Sequence, residues 1–283
     1  MRRSRTALVP PGLLLGALLA ACGSGAPEPP PATGPVPGGE TTAVASPGTG
    51  PGSSPAVPAT PGSCAGIVLD AGARIASADL AACLTDYLHA AGSGRFEIRQ
   101  ADHAAGQRWA LVDGGLYAIG TSDGEPSVVV TPGTGWVHDD GGWVRADPSG
   151  TPDEVLAADG VDLYRATSSP EMTYAMIAAA PGFTVGGRAE VALADGTTTS
   201  LWPVRADAAF QPVPAIPATT TELVVWTDVP GPTARIDVTG DAVDGAGQVT
   251  SGTSTTFFSD WGRGVDLAEI EELVGAPVPT GRG

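Results

Sequence analysis

The sequence predicts an α+β fold built on one large antiparallel sheet, and three features of its patterning predict it. From Phe96 to Arg145, apolar and polar residues alternate in short runs separated by Asp-Gly and Gly-Gly turns. Between Pro152 and Pro181 the pattern becomes helical, and from Arg188 to Ser259 the strand-like alternation resumes. A long meander, then helices, then a second meander is the signature of an α+β domain.

The elements follow in order. Ser77 is the expected N-cap of a helix over Ala78–Ala91, with Asp79 in the first turn and Gly92 past its end. Leu80, Cys83, Leu84, Tyr87, Leu88 and Ala91 recur on one face at helical spacing. Strand runs follow around Phe96 and Ile98, Trp109 and Leu111, Tyr117 and Ile119, Val128–Val130, Trp136–His138 and Trp143–Arg145. Asp113-Gly114-Gly115, Asp123-Gly124 and Asp139-Asp140-Gly141-Gly142 supply the reversals. In the interlude, Pro152–Ala158 reads as a short helical turn. A longer helix is capped by Ser169, opens on Pro170 and runs to Ala179 before Pro181-Gly182. The second meander is expected as strands Arg188–Ala194, Thr198–Ala206, Glu222–Asp228, Thr233–Thr239 and Val249–Ser259. Its reversals are Asp195-Gly196 and Pro230-Gly231-Pro232.

Ahead of the domain stands an export signal. Arg2, Arg3 and Arg5 precede the apolar run Leu13–Ala21, which is too short to span a membrane and ends in Leu19-Ala20-Ala21-Cys22. These residues are similar to a lipobox, which implies cleavage before Cys22, lipid on its thiol and anchoring by two or more acyl chains. Residues 1–21 are therefore expected to be a removed signal peptide, 22–63 a lipidated N-terminus and tether, and 64–283 a single domain. The expected location is the cell envelope, at the outer face of the cytoplasmic membrane. The tether is rich in proline, glycine, alanine and threonine, with a reach on the order of 100 Å if extended.

Composition narrows the partners. Lys+Arg 14 against Asp+Glu 31 gives a formal charge of −17, which opposes nucleic acid and anionic headgroups. With Cys22 lipidated, Cys64 and Cys83 remain as an even pair in an oxidising compartment and read as a disulfide, two buried free thiols being the alternative. His89, His103 and His138 lie in or beside turns and helix ends, as solvated residues do. Asp139-Asp140 and Asp241-x-x-Asp244 lack the spacing of a calcium loop. The chain carries no G-x-S-x-G, H-E-x-x-H or C-x-x-C motif, so no catalytic residue, metal ligand or cofactor is expected and an enzyme is not.

Some phrases resemble a known family. Thr256-Phe257-Phe258-Ser259-Asp260-Trp261-Gly262-Arg263-Gly264-Val265-Asp266-Leu267 is similar to the last strand of the LppX/LprG-type lipoproteins, relatives of the LolA carrier fold. Leu223–Asp228 with Pro232–Val238 resembles that family's C-terminal hairpin, and Gln107–Ile119 with Gly135–Asp147 its early tryptophan-containing strands. The resemblance implies a strongly curved antiparallel sheet, a half-barrel, with short helices packed on its concave face and acyl chains held between. On that reading the lipid-binding residues are Phe96, Ile98, Trp109, Leu111, Tyr117, Ile119, Val128 and Val130 on the sheet, with Met172, Met176 and Ile177 on a helix. The partners would be a lipid or acylated ligand, the membrane through the anchor, and a membrane transporter. The competing expectation is an envelope sensor or interaction module on the same fold with a filled core, which the short helices favour.

Overall fold

A computed structural model describes residues 58–213, 217–243 and 247–278. The expected signal peptide, Cys22 and the expected tether up to residue 57 lie outside the described residues, as does Asp244.

A short edge strand β1 (Arg74–Ile75) comes first, and the first meander comprises β2 (Ser93–Arg99), β3 (Ala104–Val112), β4 (Gly115–Ser122), β5 (Glu125–Val130), β6 (Gly135–Asp139) and β7 (Gly142–Arg145). The second comprises β8 (Phe183–Val185), β9 (Ala189–Ala192), β10 (Thr198–Ala206), β11 (Ala218–Thr227), β12 (Arg235–Val243) and β13 (Val249–Ser259). Among the described residues four helices accompany them: α1 (Ser77–Ala91), α2 (Pro152–Ser168), α3 (Pro170–Ala178) and α4 (Leu267–Val274). All thirteen strands form one sheet in the order β1-β8-β10-β11-β12-β13-β2-β3-β4-β5-β6-β7, with β9 on the remaining length of β10. Each pairing is antiparallel and the path does not close. The two meanders join through β13 and β2, in register from Thr255↔Arg99 to Ser259↔Arg95.

Alternation assigns the two faces. Phe96 and Ile98 of β2, Trp109 of β3, Val128 and Val130 of β5, Ile236 of β12 and Phe258 of β13 belong to one core with Leu80, Leu84 and Leu88 of α1, Val161 of α2 and Ile177 of α3. This is the helical face. On the outer face, Tyr117, Ile119, Val129 and Trp136 pack with Ile270 of α4 and Val278. Val191, Leu201, Val224 and Trp226 form a second outer cluster beneath β9.

Several elements differ from their sequence expectation for identifiable reasons. Ser77 does not cap α1: the helix starts on it, Ala76 is the N-cap, and the Ser77 hydroxyl donates to the Ala180 carbonyl at 2.5 Å. That bond ties α1 to the end of α3. The expected turn at Pro152–Ala158 is the start of a 17-residue helix opened by a capping box between Thr151 and Glu154. Gly160 sits inside this helix and accounts for its weak sequence signal. α4 was not expected. It is capped by the Asp266 side chain, which accepts from the Ala268 N–H, and it ends at Gly275. β1 and β8, two and three residues long, are too short for periodicity to register. The Glu222–Asp228 strand starts earlier, at Ala218, and the Thr233–Thr239 strand runs instead from Arg235 to Val243.

Cys64 and Cys83 form a disulfide with Cα atoms 4.6 Å apart. Cys83 lies on the buried side of α1, so the bridge fixes the short 3-10 turn Gly62–Cys64 where the domain begins. The double variant Cys64→Ala/Cys83→Ala is expected to lose about 3 kcal/mol and, for a domain of this size, to melt roughly 5–10 °C lower. Calorimetry of the oxidised protein beside the variant measures this, and equal melting temperatures would contradict it.

Candidate functional site

The space between sheet and helices is occupied by side chains. Trp109, Tyr87, Tyr174, Phe183, Leu84 and Ile177 are among the largest groups with under 2% of their surface exposed. Their rings interlock: Phe258 stacks on Trp261 at 6.0 Å and on Tyr174 at 6.1 Å. Tyr87 and Trp109 meet the same Trp261 edge-on at 5.4 and 6.2 Å. Trp261 reaches this position because Asp260 adopts a left-handed turn at φ 54° just after β13.

Of the residues expected to hold lipid, Phe96, Ile98, Trp109, Val128, Val130, Met176 and Ile177 share the helical-face core, and Leu111 packs against it. Met172 is half-buried near the start of α3 and stands outside that core. Tyr117 and Ile119 are corrected: they face the opposite way, into the outer cluster under α4. Trp109 pairs with Ala118, so Ala118 points to the helices and its neighbours point out. Leu116-Tyr117-Ala118-Ile119 is apolar on both faces, so alternation alone could not assign the side.

Polar groups cross the interior as well. The Tyr164 hydroxyl donates to Gln107 Oε1 at 2.6 Å, and burial pushes this phenol well above its ordinary range. Gly120 makes the approach feasible, because a Cβ there would stand 2.5 Å from the Tyr164 oxygen. Gln107 Nε2, Trp109 Nε1, Tyr87 Oη and Thr256 Oγ1 are buried and make no hydrogen bond among the described residues.

On the outer face a groove of about 350 Å³ runs between the β9–β10 turn and the β2–β13 pair. Leu193, Ala194 and Asp195 form one wall, and Arg95, Glu97, Ala234, Phe257 and Ser259 line the rest. Two arginines pin the turn. Arg99 lies over the Phe257 ring at 4.8 Å and donates to the Ala194 carbonyl at 2.7 Å. Arg235 lies over the same ring at 5.4 Å and donates to the Ala192 carbonyl at 3.0 Å. Sequence reasoning missed this site, because contacts between the β9–β10 turn and the β2–β13 pair join distant segments and leave no local signal.

His89 and His138 are exposed, and His103 is half-buried beside Asp123. Among the described residues no group of three metal-ligating side chains converges, and no helix is long and apolar enough to cross a membrane. No protein-family model matches the chain, and no curated protein sequence matches it.

Asp195, one of two acids lining the groove, has a defined electrostatic state. The Thr197 hydroxyl donates to Asp195 Oδ1 at 2.6 Å and the Thr197 N–H donates at 2.9 Å, which together hold the carboxyl below its usual range. The stability this gives is present above the unfolded value near about pH 4 and is lost as pH falls through the folded value. Thr197→Val is expected to raise the Asp195 pKa in a carboxyl NMR titration. An unchanged titration would show that the turn geometry does not hold the charge.

Proposed function

We propose that the chain is a lipid-anchored envelope protein whose domain is a binding and interaction module working through its outer face. One observation supports this reading most: the interior is filled by the protein's own aromatic and aliphatic side chains. Close-packed interiors resist insertion, because a guest must displace groups that already make full contact. The sheet on this reading is a half-barrel bent round α1, α2 and α3, helped by the register shifts at Gly120/Thr121 and Thr220/Glu222. The tether would hold the module away from the bilayer, and the chain's excess of acids, Asp+Glu 31 against Lys+Arg 14, would keep it clear of anionic lipid.

A lipid carrier is the second reading, and the buried polar atoms favour it. Gln107 Nε2, Trp109 Nε1, Tyr87 Oη and Thr256 Oγ1 could each bond to a bound guest or to internal water. Native mass spectrometry of the gently extracted full-length protein separates the two. The module reading expects the mass of the anchored chain alone and no uptake of a fluorescent fatty acid. Lipid recovered at one mole per mole would establish the carrier.

The anchor is tested separately. Cys22→Ala is expected to abolish labelling by fatty acid and to leave the protein uncleaved or shed into the medium. Continued N-terminal labelling of that variant would overturn the lipobox assignment.

A further inference from the structure

The geometry points to the outer groove as a binding site for a carboxylate carried on a short apolar body; this deepens the module reading and rests on it. Four arginines stand together on this part of a strongly acidic chain: Arg95, Arg99, Arg108 and Arg235. Three are committed. Arg99 donates to Glu97 at 2.5 Å and to Ala194, and Arg235 donates to Asp237 at 2.8 Å and to Ala192. Arg108 makes a two-pronged contact with Glu269 of α4.

Arg95 is different. Its contact is an ion pair with Glu97 at 3.6 Å, and that carboxylate is already held by Arg99. It stands directly opposite Arg108 across β2 and β3, and Glu269 already neutralises that neighbour, so Arg95 is the less engaged cation of the pair. On its other side Arg95 is paired with Ser259, whose side chain shares the same face and lines the same groove. A guanidinium fork beside a hydroxyl suits a carboxylate.

The remaining walls set the rest of the ligand. Leu193, Ala234 and the Phe257 ring are apolar, while Asp195 repels a second negative charge. The volume of about 350 Å³ lies near the lower end of small-molecule sites and suits a short body rather than a long acyl chain. A free short-chain acid and the C-terminal carboxylate of a peptide both offer this chemistry.

Titration calorimetry on the full-length lipidated protein in micelles tests it, using hexanoate, N-acetyl-alanyl-leucine and the amide of each. Both acids, or one of them, should bind saturably, and the amides should not. Hexanoate binding alone would identify a free acid as the source, and binding of both would admit a peptide terminus. Arg95→Gln should weaken binding about tenfold, as loss of a charged hydrogen bond does, while Arg95→Lys should retain most of it. Arg205→Gln, at an ion pair with Glu222 away from the groove, should leave binding unchanged. No saturable heat with either acid, or equal binding by wild type and Arg95→Gln of unchanged melting temperature, would overturn the proposal. Lipid found in the interior by mass spectrometry would instead overturn the module reading and would not alter the dependence on Arg95.

Discussion

The pairing of β13 with β2, strands about 150 residues apart in the chain, makes one sheet out of two meanders, and the rest of the structure depends on it. Five cross-strand pairs join Ser259, Phe258, Phe257, Thr256 and Thr255 to Arg95, Phe96, Glu97, Ile98 and Arg99. Because side chains alternate, this one register decides both faces at once. It sets Phe258 beside Phe96 under the helices, and Phe257 beside Glu97 on the outside. A slip of one residue would bury the charged row and expose the aromatic one. Forming these contacts between distant parts of the chain carries a loop-closure cost, so β13 is expected to join late in folding.

What the pairing brings together on the helical face is a continuous aromatic cluster. Trp261, placed by the turn after β13, touches Tyr87 of α1, Trp109 of β3 and Phe258 of β13. Helix, first meander and second meander therefore meet on one ring. The Ser77 to Ala180 bond and the Cys64–Cys83 bridge hold α1 from its two sides. α1 in turn packs along α3, so movement of either helix away from the sheet breaks contacts in several elements at once. That cooperativity is the physical basis for reading the interior as closed.

Much of the sheet was legible in the sequence because most of the long strands alternate and several reversals carry Asp-Gly or Pro-Gly chemistry. β10 and β13 run over their expected residues. The cysteine pair was legible from its even count. The site was not. Tyr117 and Ile119 were misplaced because β4 is apolar on both faces, and α4, which covers them, is a short helix signalled only by Asp266, Ile270 and Gly275. The outer groove was invisible for a deeper reason. Phe257, Arg95 and Leu193 are brought together only where the β9–β10 turn meets the β2–β13 pair, a relation between segments that no local pattern records.

The account stands or falls on whether the helices and the sheet beneath them open together. Hydrogen exchange of the full-length protein on lipid vesicles measures this amide by amide. If the interior is closed, the amides of α1 and α3 exchange as slowly as those of β2 and β13, with or without vesicles present. Exchange of α1 and α3 far ahead of the sheet, or hastened when lipid is added, would show helices that lift to admit a guest and would contradict the account.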